Sequence, residues 1–228
     1  LRLDALRGRL IVSVQAPAGS ALDDPHAIAA MARAAQDGGA CAVRIQGVAN
    51  LRAVRARVGV PVIGLIKCAY EGYAPYITPT LDEVRAVIES GAEIVAFDAT
   101  GRARPRGASV AEIVDAILAE GRIPMADCAT AEDAVCARAA GAEILATTLC
   151  GYTEETKGIS LPALAMVREL AELDAFTICE GGVASPQDCL AARDAGADAV
   201  VVGTALTGIE SRVRDFTGPL EKVDSPKD

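Results

Sequence analysis

The chain has 228 residues, of which 51% are hydrophobic, 23% charged and only 3% aromatic, with a formal net charge of -9. So apolar a chain is not disordered, and its length suits one large core. The acidity and the absence of tryptophan argue against a nucleic-acid surface, which needs basic residues and stacking rings.

Short apolar runs alternate with amphipathic helical patterns eight times along the sequence. The spacing predicts strands over Leu10 to Gln15, Cys41 to Gln46, Pro61 to Lys67, Ile94 to Ala99, Pro124 to Cys128, Ile144 to Leu149, Phe176 to Cys179 and Ala199 to Gly203. Helical stretches between them include Ala27 to Asp37, Leu81 to Ser90, Val110 to Glu120, Ala131 to Ala140, Leu161 to Leu173 and Pro186 to Ala195. Eight strand-helix units in this length predict an α/β chain folded as a single (β/α)8 TIM barrel over residues 1 to 228. A doubly wound open sheet would use fewer strands. Gly39-Ala40, Gly91-Ala92, Gly141-Ala142 and Gly196-Ala197 recur at intervals of 52, 50 and 55 residues, each between a helix and a strand. The repeating unit is thus a quarter barrel, and each glycine suits a left-handed helix terminus. Only the segment after Thr217, with Pro219 and a charged stretch to Asp228, reads as a loose tail.

The polar residues at the strand ends carry the functional signal. They are Gln15, Arg44 and Gln46, Lys67, Asp98, Asp127, Thr147-Thr148 and Glu180, on seven successive units. Barrel closure collects them around one mouth, where this fold keeps its chemistry. At Glu180 an apolar run ends in a carboxylate, meets Gly181-Gly182, and passes through Ser185-Pro186 into a helix. Such glycines bare their backbone N–H groups to an anion.

The seven cysteines are scattered without a CxxC pair and read as reduced thiols of a cytoplasmic protein, and the single histidine, His26, reads as a surface residue at a helix start. No metal site follows, since one histidine cannot furnish ligands on several strands. No apolar run approaches the roughly 20 residues of a membrane span, and no signal peptide is expected before the first strand.

The residues resemble the N-acetylmannosamine-6-phosphate 2-epimerases of sialic acid breakdown. The matching pieces are Leu10 to Ala16, Pro61 to Lys67, Tyr76-Ile77-Thr78-Pro79-Thr80, Phe97-Asp98-Ala99-Thr100 with Arg102, Arg104 and Pro105, Met125-Ala126-Asp127, Thr147 to Thr153, Glu180-Gly181-Gly182 and Val200 to Gly203. The resemblance implies a barrel enzyme without metal or other cofactor that interconverts N-acetylmannosamine 6-phosphate and N-acetylglucosamine 6-phosphate. It places the acid/base pair on Lys67 and Glu180, and sugar contacts on Gln15, Arg44 and Asp127. It also implies a homodimer paired through the last helices; from composition and the lack of an apolar span, no nucleic-acid or membrane partner is expected. One position departs from the family pattern. An Ile-Thr-Arg-Pro segment is expected after the last strand, and this chain reads Leu206-Thr207-Gly208-Ile209, without the arginine expected near the phosphate.

The chemistry fits the residue types. Epimerisation beside a carbonyl removes a proton, passes through a planar enolate, and returns a proton to the other face. Strands three and seven of an eight-strand barrel lie on opposite walls, so Lys67 and Glu180 are set for that exchange. Desolvation or a nearby Arg44 would lower Lys67, and burial would raise Glu180. Arg44 is the candidate to steady the oxyanion, or else it forms an ion pair with Asp98 or Asp127. Asp127 is expected to accept a sugar hydroxyl or to hold Lys67. Thr148 and Tyr152 either cover the substrate or make a lid contact. Phosphate recognition is expected from the backbone N–H groups of Gly181, Gly182, Gly203 and Thr204, between the seventh and eighth loops. Competing readings are a ribulose-phosphate type epimerase, which needs metal ligands, a phosphate-binding synthase of thiamine or tryptophan biosynthesis, and a non-catalytic sugar-phosphate sensor.

Overall fold

Each of the eight apolar runs becomes a strand: β1 Arg9–Val14, β2 Ala42–Gln46, β3 Val62–Leu65, β4 Ile94–Asp98, β5 Ile123–Asp127, β6 Ile144–Ala146, β7 Phe176–Cys179 and β8 Ala199–Val202. In the computed structural model, which describes residues 2–221, they are all parallel and close in sequential order, β8 pairing back onto β1. The chain is a single (β/α)8 barrel. Helices α1 Pro25–Asp37, α2 Val48–Arg55, α3 Leu81–Glu89, α4 Val110–Ala119, α5 Ala131–Ala139, α6 Leu164–Ala171 and α7 Pro186–Asp194 follow the first seven strands. A single turn, α8 Thr204–Thr207, and α9 Ile209–Glu221 follow the eighth.

The period of two along each strand sorts the side chains. Outward residues such as Val43, Val95, Phe97 and Leu145 pack under the helices. Inward residues such as Ile11, Ile63, Leu65, Ile94, Met125, Ile144 and Ile178 fill the lumen, which Leu6 of a short N-terminal turn closes from below. Read upward on the same parity, the lumen series run Ile11-Ser13-Gln15, Ala42-Arg44-Gln46, Ile63-Leu65-Lys67, Ile94-Ala96-Asp98, Met125-Asp127, Ile144-Ala146-Thr148 and Phe176-Ile178-Glu180. The pleat thus delivers the polar strand ends of this parity to the mouth, above an apolar plug, and leaves Thr147 on the other parity.

Local chemistry fixes the helix boundaries. Thr80, Ser109, Thr130 and Ser185 cap α3, α4, α5 and α7 through reciprocal capping boxes. At the quarter-barrel repeats Gly39, Gly91, Gly141 and Gly196 take φ values of 101°, 88°, 103° and 108°, where a side chain would strain the backbone.

Most strands lie within a residue or so of the predicted bounds, but two, β3 and β6, are each three residues shorter than the sequence predicts. β3 ends at Leu65 because Ile66 to Cys68 leave β4 and pair antiparallel with Tyr76 to Thr78. β6 ends at Ala146 because Thr147 to Cys150 turn, the Cys150 N–H donating to the Thr147 carbonyl at 3.1 Å. Helix α6 starts at Leu164 rather than Leu161, and Leu161 instead packs over Gly151 and Gly182. α9 continues past Thr217 and Pro219 to Glu221, and the rest of the segment expected to be loose lies outside the described residues.

Candidate active site

A cleft of about 620 Å³ opens at the C-terminal ends of the strands. Gln15, Lys67, Tyr76, Thr148, Tyr152 and Glu180 line it, together with Gly181, Gly182, Gly203, Thr204 and, from the α8–α9 segment, Thr207, Gly208, Glu210, Ser211, Arg212, Arg214 and Asp215. Of the predicted site residues only Arg44 and Asp127 are not among the lining set. They are 1% and 0% exposed, respectively.

Lys67 owes its position to the doubling-back of the loop after β3. The Cys68 N–H donates to the Tyr76 carbonyl at 2.9 Å, the Thr78 N–H to the Ile66 carbonyl at 2.7 Å, and the Asp98 N–H to the Ile77 carbonyl at 2.9 Å. Tyr76 to Thr78 therefore fill the gap between β3 and β4 at the mouth. Thr78 takes a positive φ of 44°, costly for a β-branched residue. Its buried hydroxyl offsets the cost by donating to the Ala96 carbonyl at 2.7 Å and accepting from the Ile66 N–H at 3.2 Å. The turn also swings Tyr76 into the cleft, where burial raises its phenol above the ordinary value, helped by Asp127 and Asp98.

On the opposite wall, β6 grips β7. The Thr147 hydroxyl donates to the Glu180 carbonyl at 2.9 Å and accepts from the Glu180 N–H at 3.1 Å. Beneath, Arg44 makes a two-pronged contact with Asp127, Nη1 to Oδ1 at 3.0 Å and Nη2 to Oδ2 at 2.7 Å. Its Nη1 is also 2.9 Å from Glu180 Oε2. Of the two carboxylates expected as ion-pair partners of Arg44, Asp127 is the one it meets, while Asp98 is held by Thr100 at 2.6 Å and Arg102 at 2.8 Å. The carboxylate of Asp127 takes its contacts from Arg44 and, at 2.7 Å, from the Thr148 hydroxyl.

One guanidinium thus serves two carboxylates. Burial pushes Glu180 up to about 7, reinforced by Asp127 and opposed by Arg44, the Thr148 hydroxyl and Lys67. Burial likewise lowers the Lys67 ammonium, and Arg44 lowers it further against Glu180 and Asp127. Burial alone would depress Arg44 as well, but Asp127 and Glu180 outweigh it and keep the guanidinium charged. A depressed amine and a raised carboxyl on facing walls are how a fold prepares an acid and a base for the same pH.

Gln15 donates to the Ser13 hydroxyl at 2.8 Å, which orients its amide in the cleft. Tyr152 stands at the rim, 58% exposed, with its ring close over Gly181. The two glycines are required there. Both have positive φ, and a Cβ on Gly182 would fall 2.3 Å from Leu161 Cβ. Gly208 lines the cleft too, and a Cβ there would lie 2.7 Å from Thr204 Cγ2 and 2.9 Å from the Thr204 carbonyl oxygen. Sequence reasoning missed Ser13 and Tyr76 as lining residues. Ser13 was readable from its parity with Gln15, whereas Tyr76 reaches the cleft only through the folded-back loop. His26 is exposed, as expected, at the start of α1.

The family model described as "Putative N-acetylmannosamine-6-phosphate epimerase" (NanE) matches residues 28–222. The chain belongs to this family. A "Putative N-acetylmannosamine-6-phosphate 2-epimerase" of Corynebacterium glutamicum is 49% identical over 89% of this chain and 88% of its own. A protein of the same description from Caldanaerobacter subterraneus is 42% identical over 94% of this chain and 92% of its own. The solved N-acetylmannosamine-6-phosphate 2-epimerase from Clostridium perfringens superimposes with a TM-score of 0.92 at 38% identity, covering 95% of each chain. Family members are isomerases of the epimerase kind, and barrels of this fold keep their chemistry at the C-terminal ends of the strands, where the cleft opens.

Proposed function

We propose that the cleft binds N-acetylmannosamine 6-phosphate and interconverts it with N-acetylglucosamine 6-phosphate by moving the C2 proton between Lys67 and Glu180. The observation that carries this reading is the pair itself: both groups line one cleft, from strands four apart in the barrel, with Lys67 lowered and Glu180 raised to about 7. One takes the C2 proton from one face of the open-chain sugar, the electrons pass into the C1 carbonyl as an enolate, and the other returns a proton to the opposite face. Arg44 acts from below the floor by holding Glu180, and Asp127 by holding Arg44, rather than by touching the sugar. Gln15 offers its remaining amide groups to sugar hydroxyls, and Tyr152 covers the rim. The amides of Gly181, Gly182, Gly203 and Thr204 receive the phosphate.

The partner is a second copy of the chain. Ile209, Val213, Phe216 and Leu220 on α9 are 52%, 52%, 69% and 71% exposed, so that helix leaves its apolar face off its own barrel. An apolar groove of about 490 Å³ between α7 and the outer side of β8 and β1, lined by Leu10, Leu190, Val200, Val202 and Leu206, is left open in the same protomer. Exchange of α9 between two copies would cover both surfaces and give a closed twofold assembly. Among the described residues no helix is long and apolar enough to cross a membrane. The free state of all seven cysteines supports a reducing compartment, and we place the protein in the cytoplasm.

The test is incubation with N-acetylmannosamine 6-phosphate in deuterium oxide. Inversion at C2 with one solvent deuteron in the product is expected. Binding without exchange would leave a sugar-phosphate sensor instead.

A further inference from the structure

The Thr148 hydroxyl stands between the two carboxylates of the site, 2.7 Å from Asp127 Oδ1 and 3.3 Å from Glu180 Oε2. A threonine hydroxyl carries one proton and can donate it in only one direction at a time. Arg44 satisfies Asp127 with two contacts and Glu180 with one. The short contact marks Asp127 as the acceptor in the resting arrangement. The longer one then sets a lone pair of Thr148 toward Glu180, which suits a Glu180 that holds its own proton. Once Glu180 has lost that proton, the same lone pair would face a negative oxygen, and rotation about the Cβ–Oγ bond relieves the conflict. Asp127 bears this loss because both its oxygens still accept from Arg44.

We propose that Thr148 is a positioning residue for the epimerisation, its hydroxyl turning from Asp127 to Glu180 each time Glu180 becomes the carboxylate base. No proton leaves Thr148 and no covalent bond changes; only its hydrogen bond moves. The inference rests on the reading of Glu180 as an acid/base group. Thr147 supports it by pinning the Glu180 backbone from both sides, so that the carboxyl stays within reach of the rotor. The other ionisable groups acting on Glu180 are Arg44 from β2, Lys67 from the end of β3 and Asp127 from β5, and none of them can turn a donor on and off in this way.

Three variants decide the matter: Thr148→Val, which keeps the shape and removes the hydroxyl, Thr148→Ala, which serves if the valine variant folds poorly, and Thr148→Ser, which restores the donor. In the unliganded full chain, the Glu180 carboxyl band is followed by infrared difference titration and identified by its loss in Glu180→Gln. Removing the hydroxyl is expected to raise the titration midpoint by about half a unit or more, because a donor to the charged form is lost, and serine to bring it back. The acidic limb of the kcat profile should move the same way, with kcat down by about tenfold and KM within about twofold. A wild type that exchanges the C2 proton while the valine and alanine variants titrate unchanged overturns the proposal alone. So does a change confined to KM, which would make Thr148 a sugar contact, or failure of serine to restore the midpoint. A wild type that leaves C2 unexchanged overturns the functional reading and the proposal with it.

Discussion

The lower and upper layers of the barrel lumen are built by the same strands on the same parity, two or four residues apart, and they follow opposite rules. Ile63, Ile94, Met125, Ile144 and Ile178 fill the lower layers with fully buried apolar side chains. Each adds hydrophobic stabilisation of about 1.5 to 3 kcal/mol. Higher up, Arg44, Asp127 and Glu180 bring one guanidinium and two carboxyls into a poorly solvated place, with the Lys67 amine, on a more exposed residue, reaching in beside them. Burying charge costs stability even when the charges are paired. The upper layer is therefore tolerated because the lower layer supplies the stability, and its shifted ionisation states are what the proposed proton transfer would draw on.

The sharpest break in this comparison is chemical. Glu180→Gln and Lys67→Ala should each lower kcat by at least about a hundredfold with a modest change in KM, since each would remove a proposed proton carrier and leave the proposed phosphate contacts in place. Steady-state kinetics on the 6-phosphate checks this. Near wild-type kcat in either variant would remove that residue from the mechanism.

The second test uses pH. The folded-state value of Glu180, about 7, lies above its ordinary 4.5, so the fold prefers the protonated carboxyl. That contribution to stability is complete below about pH 4.5 and is lost as pH rises through about 7. Lys67 has the opposite sign: its lowered value favours the neutral amine, a contribution present above the ordinary 10.5 and lost as pH falls through its folded value. Thermal unfolding of the wild type should therefore lose ground between about pH 5 and pH 7 relative to Glu180→Gln, which has no proton to lose there. Parallel curves for the two proteins would mean that the carboxyl is not raised.

The lower layer answers differently. Ile94→Val removes one methylene from a fully buried lumen position two layers below Asp98. It should cost about 1 kcal/mol in chemical denaturation. Its kcat should stay that of the wild type, because no ionisable group changes surroundings. A fall in kcat without a loss of stability would show that the two layers are not independent.

How much of this was legible in the sequence depended on how local the signal was. The strands were readable because buried parallel strands are continuous apolar runs, and the parity from Ile178 to Glu180 or Ile63 to Lys67 needs only counting. The capped helices were readable from Thr80, Ser109, Thr130 and Ser185. Helix α2 gave less to work with: Gly47 caps it with no side-chain bond and it runs for only 8 residues. The loop that sets Lys67 and carries Tyr76 into the cleft depends on pairing between residues ten apart, which no local pattern announces. Nor does composition tell that Arg44 divides itself between Asp127 and Glu180, because that follows from strand register and barrel closure.

The smallest expected effect concerns the edge of the upper layer, where Gly208 stands in place of the arginine that the family pattern leads one to expect. An arginine cannot be restored there at no cost: its Cβ would come within 2.7 Å of Thr204 Cγ2 and 2.9 Å of the Thr204 carbonyl, so Gly208→Arg should shift the α8–α9 junction and lower Tm. The cations available to the cleft from this segment are Arg212 and Arg214, both of which line it. Arg212 begins one turn after Gly208, its N–H donating to the Gly208 carbonyl at 2.9 Å. Its guanidinium is engaged by Asp215 at 3.1 Å and lies 5.9 Å from the centre of the Phe216 ring. At 46% side-chain exposure this contact is solvent-screened, so little holds the arginine back from a doubly charged phosphate. Arg212→Ala should raise KM for the 6-phosphate about threefold and weaken inhibition by inorganic phosphate to a similar degree, with kcat unchanged, as fits an exposed charge-assisted contact rather than a buried one. The same variant should leave the midpoint of the Glu180 titration where it is. If KM and phosphate inhibition both stay at the wild-type values, the backbone amides around Gly182 and Gly203 hold the phosphate without help from α9.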